Sequence, residues 1–150
     1  MTLKDRIKEE MKGALRSREQ GRLEAIRMLL AAIQRREVDE RITLDDTQVM
    51  AVIEKLVRQG RDSVEQFRQG GRQDLVDKES RDIAVWESYL PEPLSEAQID
   101  ELITKAIAET GAGGVKDMGK VVASLRPALQ GRADMGKVSG KIKLKLTAKD

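Results

Sequence analysis

The chain has 150 residues, 39% hydrophobic and 36% charged, with a formal net charge of +2. It contains no cysteine and no histidine, which excludes disulfides, thiolate nucleophiles and thiolate zinc sites and removes the commonest general base and metal ligand. No apolar run approaches the ~18 residues of a membrane span, and Met1 to Asp5 shows no apolar leader. Cytoplasm is the expected location on these grounds, and neither a cofactor nor a metal is expected.

The helices are legible in chain order. Thr2 can cap a first helix whose Leu3, Ile7, Met11 and Ala14 or Leu15 share one face, with Gly21 expected to end or kink it. A second helix is predicted from about Arg22 to Val38, striped by Leu23, Ile26, Leu30, Ile33 and Glu37 and widened by Leu29 and Ala32. It is the most apolar surface in the chain and the expected core helix of the first half. Thr43 is expected to cap a third helix, with Asp45 and Asp46 in its electropositive first turn and Val49, Val52, Ile53, Leu56, Val57, Val64 and Phe67 inward. Gly70-Gly71 is a stop signal. A fourth helix is predicted from about Arg72 to Tyr89, with its charged Asp74–Asp82 portion projecting into solvent. Trp86 and Tyr89 lie near its end, placed for packing between domains.

Leu90-Pro91-Glu92-Pro93-Leu94 then breaks the chain, because each proline fixes φ and lacks an N–H. Ser95 and Gln98 form a capping-box pattern, and Leu94 and Ile99 occupy staple positions. Ile99, Leu102, Ile103, Ala106 and Ile107 stripe the helix that follows, which Thr110 to Gly114 ends. Two short helical segments are predicted, about 117–129 and 134–146. Pro127 should kink the first or replace its last turn, and Gly140 and the alternating Lys141, Lys143 and Lys145 suggest fraying in the second. Nothing in residues 1–90 alternates with period two. The expected fold is all-α, an N-terminal four-helix domain over 1–90 and a C-terminal three-helix domain over 95–150, with residues 91–94 as linker.

Charge is unevenly distributed along this frame. Residues 1–90 hold 18 basic and 18 acidic groups; residues 91–115 are net −4; residues 116–150 are net +6. Within the last segment Asp117-Met118-Gly119-Lys120-Val121 recurs as Asp134-Met135-Gly136-Lys137-Val138. In each copy the aspartate is placed to cap a helix, Met and Val fall on a buried face, and Gly-Lys falls in the exposed first turn. A pair of capped helix starts accounts for the pattern by itself. A helix N-terminus with a glycine and a lysine also suits phosphate. It is not a Walker A loop, since the glycine spacing and the Ser/Thr are absent. The candidate nucleic-acid-binding residues are Lys116, Gly119, Lys120, Arg126, Arg132, Gly136, Lys137, Lys141, Lys143 and Lys145, with Lys149 beyond them. Such a run of one sign suits a polyanion backbone. The lack of aromatic residues there disfavours splayed single-stranded bases and favours structured RNA.

The same residues carry a family resemblance. Leu23 to Ile33 (LEAIRMLLAAI), Glu87 to Ser95 (ESYLPEPLS), Thr110 to Val122 (TGAGGVKDMGKVV) and Gly131 to Asp134 (GRAD) resemble the YqeY family. These are small bacterial proteins related to the tail of one subunit of the glutamyl/aspartyl-tRNA amidotransferase. The resemblance implies a four-helix N-terminal part, and a three-helix C-terminal part similar to a tail module that contacts tRNA. A carbon–nitrogen ligase label with glutamine as amide donor attaches to that shared domain. The serine–lysine machinery of the amidase and the metal- and nucleotide-binding cradle of the tail-bearing subunit are not in this chain. Its residues do not support independent catalysis. Carboxylate pairs such as Glu9-Glu10 and Asp45-Asp46 read as solvent faces and helix starts, as do Arg16, Arg18, Arg35 and Arg36. The leading expectation is a non-catalytic accessory protein that contacts tRNA. The alternative is an adaptor that docks on a tRNA synthetase or amidotransferase through its charged N-terminal helices.

Overall fold

Thr2 opens the first helix, α1 (Leu3–Arg16), with a two-way capping box. Its hydroxyl accepts from the Asp5 N–H, and the Asp5 carboxylate accepts from the Thr2 N–H. The computed structural model describes residues 1–148, and among them every regular element is helical. After α1 come α2 (Gln20–Glu40), α3 (Asp46–Gln69), α4 (Gln73–Glu87), α5 (Glu96–Thr110), α6 (Met118–Leu129) and α7 (Met135–Thr147), with one 3₁₀ turn at Val115–Asp117. The fold is all-α. The chain divides into two compact units, Met1–Leu90 and a second beginning at Pro91.

Helix ends are where the structure departs most from the sequence pattern. Gly21 neither ends nor kinks α1; it lies in the first turn of α2. The stop is at Arg18, which adopts a left-handed φ of 58°. The Glu19 N–H bonds the Ala14 carbonyl and the Arg18 N–H bonds the Leu15 carbonyl, a Schellman closure. Arg41, φ 55°, ends α2 in the same left-handed conformation, with the Ile42 N–H on the Glu37 carbonyl. Two arginines thus hold a conformation that costs an L-residue roughly 1–2 kcal/mol. Gly71 and Gly111 fill the equivalent positions after α3 and α5.

The cap of α3 is Asp45, not Thr43. Asp45 and Gln48 bond each other's N–H reciprocally, because the N3 glutamine sits three residues from Asp45 and five from Thr43. Leu44, just before the cap, is buried, and its N–H donates to Glu37 Oε2 at 2.9 Å. Lys4 Nζ donates to both oxygens of the same carboxylate, at 2.7 and 2.8 Å. Glu37 therefore joins α1, α2 and the entry to α3.

The first unit's core is built from Ile7, Leu23, Ile26, Leu29, Ile33, Val49, Ile53, Val57, Ile83, Trp86 and Tyr89. Trp86 is 1% exposed, and its indole N–H donates to the Ala25 carbonyl at 2.8 Å. Tyr89 is buried beneath the Arg6 guanidinium, 5.2 Å from its ring centre. Both aromatic side chains, expected to pack between domains, belong to this core. The charged start of α4 is not wholly in solvent either. Val76 and Asp82 are buried, and Lys78 Nζ lies 3.1 Å from the Asp82 carboxylate.

In the second unit, Ser95 and Gln98 form the expected capping box. Ile99, Ile103, Ala106 and Ile107 of α5 meet Val121, Leu125 and Leu129 of α6 and Val138, Ile142 and Leu146 of α7 in one core, with Leu94 packed against it. Pro127 is accommodated within α6, which runs two residues past it. α7 does not fray at its lysines: it is continuous to Thr147, with Ile142 and Leu146 fully buried one turn apart.

Candidate nucleic-acid interface

The two Asp-Met-Gly-Lys-Val copies share a sequence and differ in geometry. Val121 and Val138 are buried and Met118 and Met135 half-buried, so the apolar half of the repeat does the same packing twice. The aspartates do not act alike. Asp134 has an extended backbone, and its Oδ1 accepts from the N–H groups of Gly136 at 2.8 Å and Lys137 at 3.4 Å. It is a true N-cap. Asp117 ends a 3₁₀ turn at ψ 6° and makes no capping bond. Its Oδ2 instead accepts from the Gly113 N–H at 2.9 Å, which braces the glycine-rich loop. That N–H holds the Asp117 carboxyl below the ordinary carboxylate range, helped by the charges of Lys120 and Lys116. The expectation that both aspartates cap is corrected at the first copy: the 3₁₀ turn leaves Asp117 at φ −96° and ψ 6°, away from the extended backbone of a capping residue, and its side chain turns back to Gly113.

This geometry decides what the helix starts offer. At α7 the exposed N–H groups are occupied by the chain's own carboxylate, so an anion there meets a negative charge already in place. At α6 the Lys120 ammonium lies 3.8 Å from Asp117 Oδ1 and is otherwise open to solvent. Gly119 is exposed with no atom near the position a Cβ would take.

The basic residues separate into two sets. Lys141 Nζ bonds the carboxylates of Glu96 and Asp100, and Lys145 Nζ donates to the Asp100 carbonyl at 3.3 Å and Thr104 Oγ1 at 2.9 Å. Glu96, followed by Asp100, holds the Lys141 ammonium above its ordinary pKa. Arg132 Nε donates to the Glu92 carbonyl at 3.0 Å, and the Leu94 N–H returns a bond to the Arg132 carbonyl at 2.9 Å. Arg132 thereby fixes the 91–95 connector to the α6–α7 turn. Lys116, Arg126, Lys137 and Lys143 are exposed and form no ion pair among the described residues. Lys149 lies outside the described residues. The outer side of α7 runs Gly136, Lys137, Gly140, Lys143 and Leu144, all exposed, with Leu144 at 74%.

Residue-by-residue reading of the basic segment missed Glu96, Asp100 and Thr104 as its partners. The signal was available in their spacing. Residues 96, 100 and 104 form an i, i+4 ladder on one helix, and 141 and 145 form another. Two such ladders of opposite sign pair when their helices lie side by side.

Among the described residues no group of three or more His, Cys, Asp or Glu is placed to hold a metal, and no described helix is long and apolar enough to cross a membrane. The family model described as Yqey-like protein matches residues 4–146. The chain belongs to the YqeY family. Its curated relatives include proteins named altered inheritance of mitochondria protein 41, mitochondrial. The protein of that name from Pyrenophora tritici-repentis is 31% identical, over 96% of this chain and 81% of its own length. Those of Lachancea thermotolerans and Eremothecium gossypii are 33% and 34% identical over 69% and 68% of this chain. Of these two relatives this YqeY-family chain spans only 57% and 56%. The mitochondrial names overturn the cytoplasmic location expected above, whose grounds were the lack of an apolar leader and of a membrane span.

Proposed function

We propose that this YqeY-family chain is a non-catalytic accessory protein that contacts structured tRNA through its second unit. The observation that carries the reading is the set of cations that form no ion pair among the described residues: Lys116 and Arg126 around α6, and Lys137 and Lys143 on the outer side of α7. An ordinary solvated helix face mixes signs. Here Glu96 and Asp100 of α5 are drawn to Lys141, and the outer side of α7 is left positive. Exposed glycines at 119 and 140 add backbone that a bulky polyanion can approach closely. Such contacts neutralise phosphates and position RNA without reading bases. The resemblance of this unit to an amidotransferase tail supports tRNA as the polyanion.

The test is tRNA binding measured across a salt series. The Lys137→Ala/Lys143→Ala double variant is expected to weaken binding and to flatten the log–log salt slope by roughly 0.7–0.9 for each lysine lost. Lys141→Ala, which removes an ammonium held by α5, is expected to change the slope little. Equal losses for all three lysines, or an unchanged slope in the double variant, would reject this surface.

A further inference from the structure

The second helix has an outer face of mixed apolar and charged residues that its own unit does not cover. Leu23, Ala25, Ile26, Leu29 and Ile33 of α2 are buried. On the opposite side Gly21, Glu24, Met28, Ala31, Arg35 and Val38 are all exposed. Met28 is 45% and Val38 67% exposed, two of the few large apolar side chains left in solvent. The steps between these six positions are three, four, three, four and three, the spacing of a coiled-coil seam.

We propose that this face is a self-complementary dimer interface, in which α2 pairs antiparallel with α2 of a second copy. In an antiparallel pair centred between Met28 and Ala31, Met28 meets the partner's Ala31. Glu24 then meets the partner's Arg35, and Gly21 meets the partner's Val38. Each match sets large against small or acid against base, and twofold symmetry makes each of them twice, as an isologous interface requires. A parallel pairing would stack Glu24 on Glu24 and Arg35 on Arg35.

The surroundings of Gly21 give a second, independent argument. Gly21 lines a groove of about 470 Å³ whose wall from α4 is Lys78, Arg81, Asp82, Ala84 and Val85. The register places the partner's Val38 at the mouth of this groove, against the small and apolar side chains of Ala84 and Val85. The partner's Asp39 follows Val38 on the chain and arrives beside Arg81, since Lys78 is held by Asp82 and Arg22 by Glu10. Arg35, Asp39 and Arg81 form no ion pair with a described residue of their own chain, so the second copy supplies their partners. The seam covers 18 residues of helix, about 27 Å. That is small for a permanent interface, so the dimer is a weak one that forms with rising concentration.

The experiment is sedimentation equilibrium of the full chain from micromolar to millimolar concentration. The native chain is expected to pass from monomer to dimer. Glu24→Lys or Arg35→Glu alone should each weaken dimerisation about tenfold, since two ion pairs are lost per dimer. The Glu24→Lys/Arg35→Glu double variant restores opposite charges across the dyad and should recover the native midpoint. Because the chain has no cysteine, cross-linking checks the register independently. A mixture of Met28→Cys and Ala31→Cys chains should oxidise to a mixed disulfide dimer faster than a mixture of Met28→Cys with Leu15→Cys. A monomer at every concentration, a dimer indifferent to both single charge reversals, a double variant that does not recover, or equal cross-linking in the two mixtures would overturn the proposal.

Discussion

The Lys141 ammonium lies 3.1 Å from the Asp100 carboxylate, across 41 residues of chain. With the neighbouring bond to Glu96 it ties α7 to the first turns of α5 and draws the net-negative segment onto the net-positive one. Lys143, two residues on, is exposed and joins neither carboxylate. The pair therefore separates structural lysines from surface lysines within a single helix.

A stability difference follows from that separation. Lys141→Ala is expected to lower the melting temperature at low ionic strength, and the loss should shrink as salt screens the partly exposed pairs. Lys143→Ala should leave the melting temperature unchanged at any salt. Calorimetry of the two variants at two salt concentrations checks it; equal effects would show that Lys141 is no anchor.

Glu37 gives a pH dependence with a definite sign. The Lys4 hydrogen bonds, then the Leu44 N–H, hold its carboxyl below its ordinary value of 4.5. A carboxylate depressed in the folded state stabilises the protein above the unfolded value, and the contribution is lost as pH falls through the folded value. Glu37→Gln should therefore be less stable than the native chain near neutrality, and the gap should close as pH falls through the lowered folded value. Urea midpoints taken across the acid range measure it. A gap that stays constant with pH would mean that packing, not charge, is what Glu37 provides.

Two helical glycines are expected to respond in opposite directions to alanine. At Gly60 a Cβ would lie 2.8 Å from Ile83 Cγ1 and 3.1 Å from its Cδ1, so α3 and α4 must separate or Ile83 must move. The overpacking costs about 1–3 kcal/mol, which outweighs the gain in helix propensity of about 1 kcal/mol. At Gly140 a Cβ meets nothing within 4 Å, so Gly140→Ala should stabilise the second unit by about that gain. Trp86, the sole tryptophan, lies in the first unit's core. Its fluorescence follows the Gly60 variant, and circular dichroism follows the Gly140 variant.

The repeat is open to a matched pair of substitutions. Asp134→Ala removes a side-chain cap and should cost about 1 kcal/mol. Asp117→Ala removes no cap and instead frees the Gly113 N–H, so its main effect should be faster proteolysis between residues 110 and 116. Denaturation midpoints and limited digestion of both variants distinguish the roles. Similar losses of stability would mean that the two copies are equivalent after all.

Helix interiors were legible in the sequence because a buried stripe repeats at the helical period, and Leu23, Ile26, Ile53 and Ile103 all lie where that period places them. The Ser95 cap was legible because a capping box is closed by two residues three apart and needs nothing else. The ends of α1 and α2 were not, since Arg18 and Arg41 hold left-handed turns that composition assigns to glycine.

By itself the sequence determined the all-α class, the break at the two prolines, most of both cores and the concentration of positive charge after residue 115. All of these depend on local periodicity, on backbone covalency or on simple counting. Tertiary structure alone decided which cations remain available. Lys141 and Lys145 share a sign and a helix with Lys137 and Lys143, and only the position of α5 beside α7 makes the first two anchors and leaves the others in solvent. It also decided that identical pentapeptides do different work. An aspartate caps or braces according to its own dihedrals, and these are set by the turn that delivers the chain to each helix.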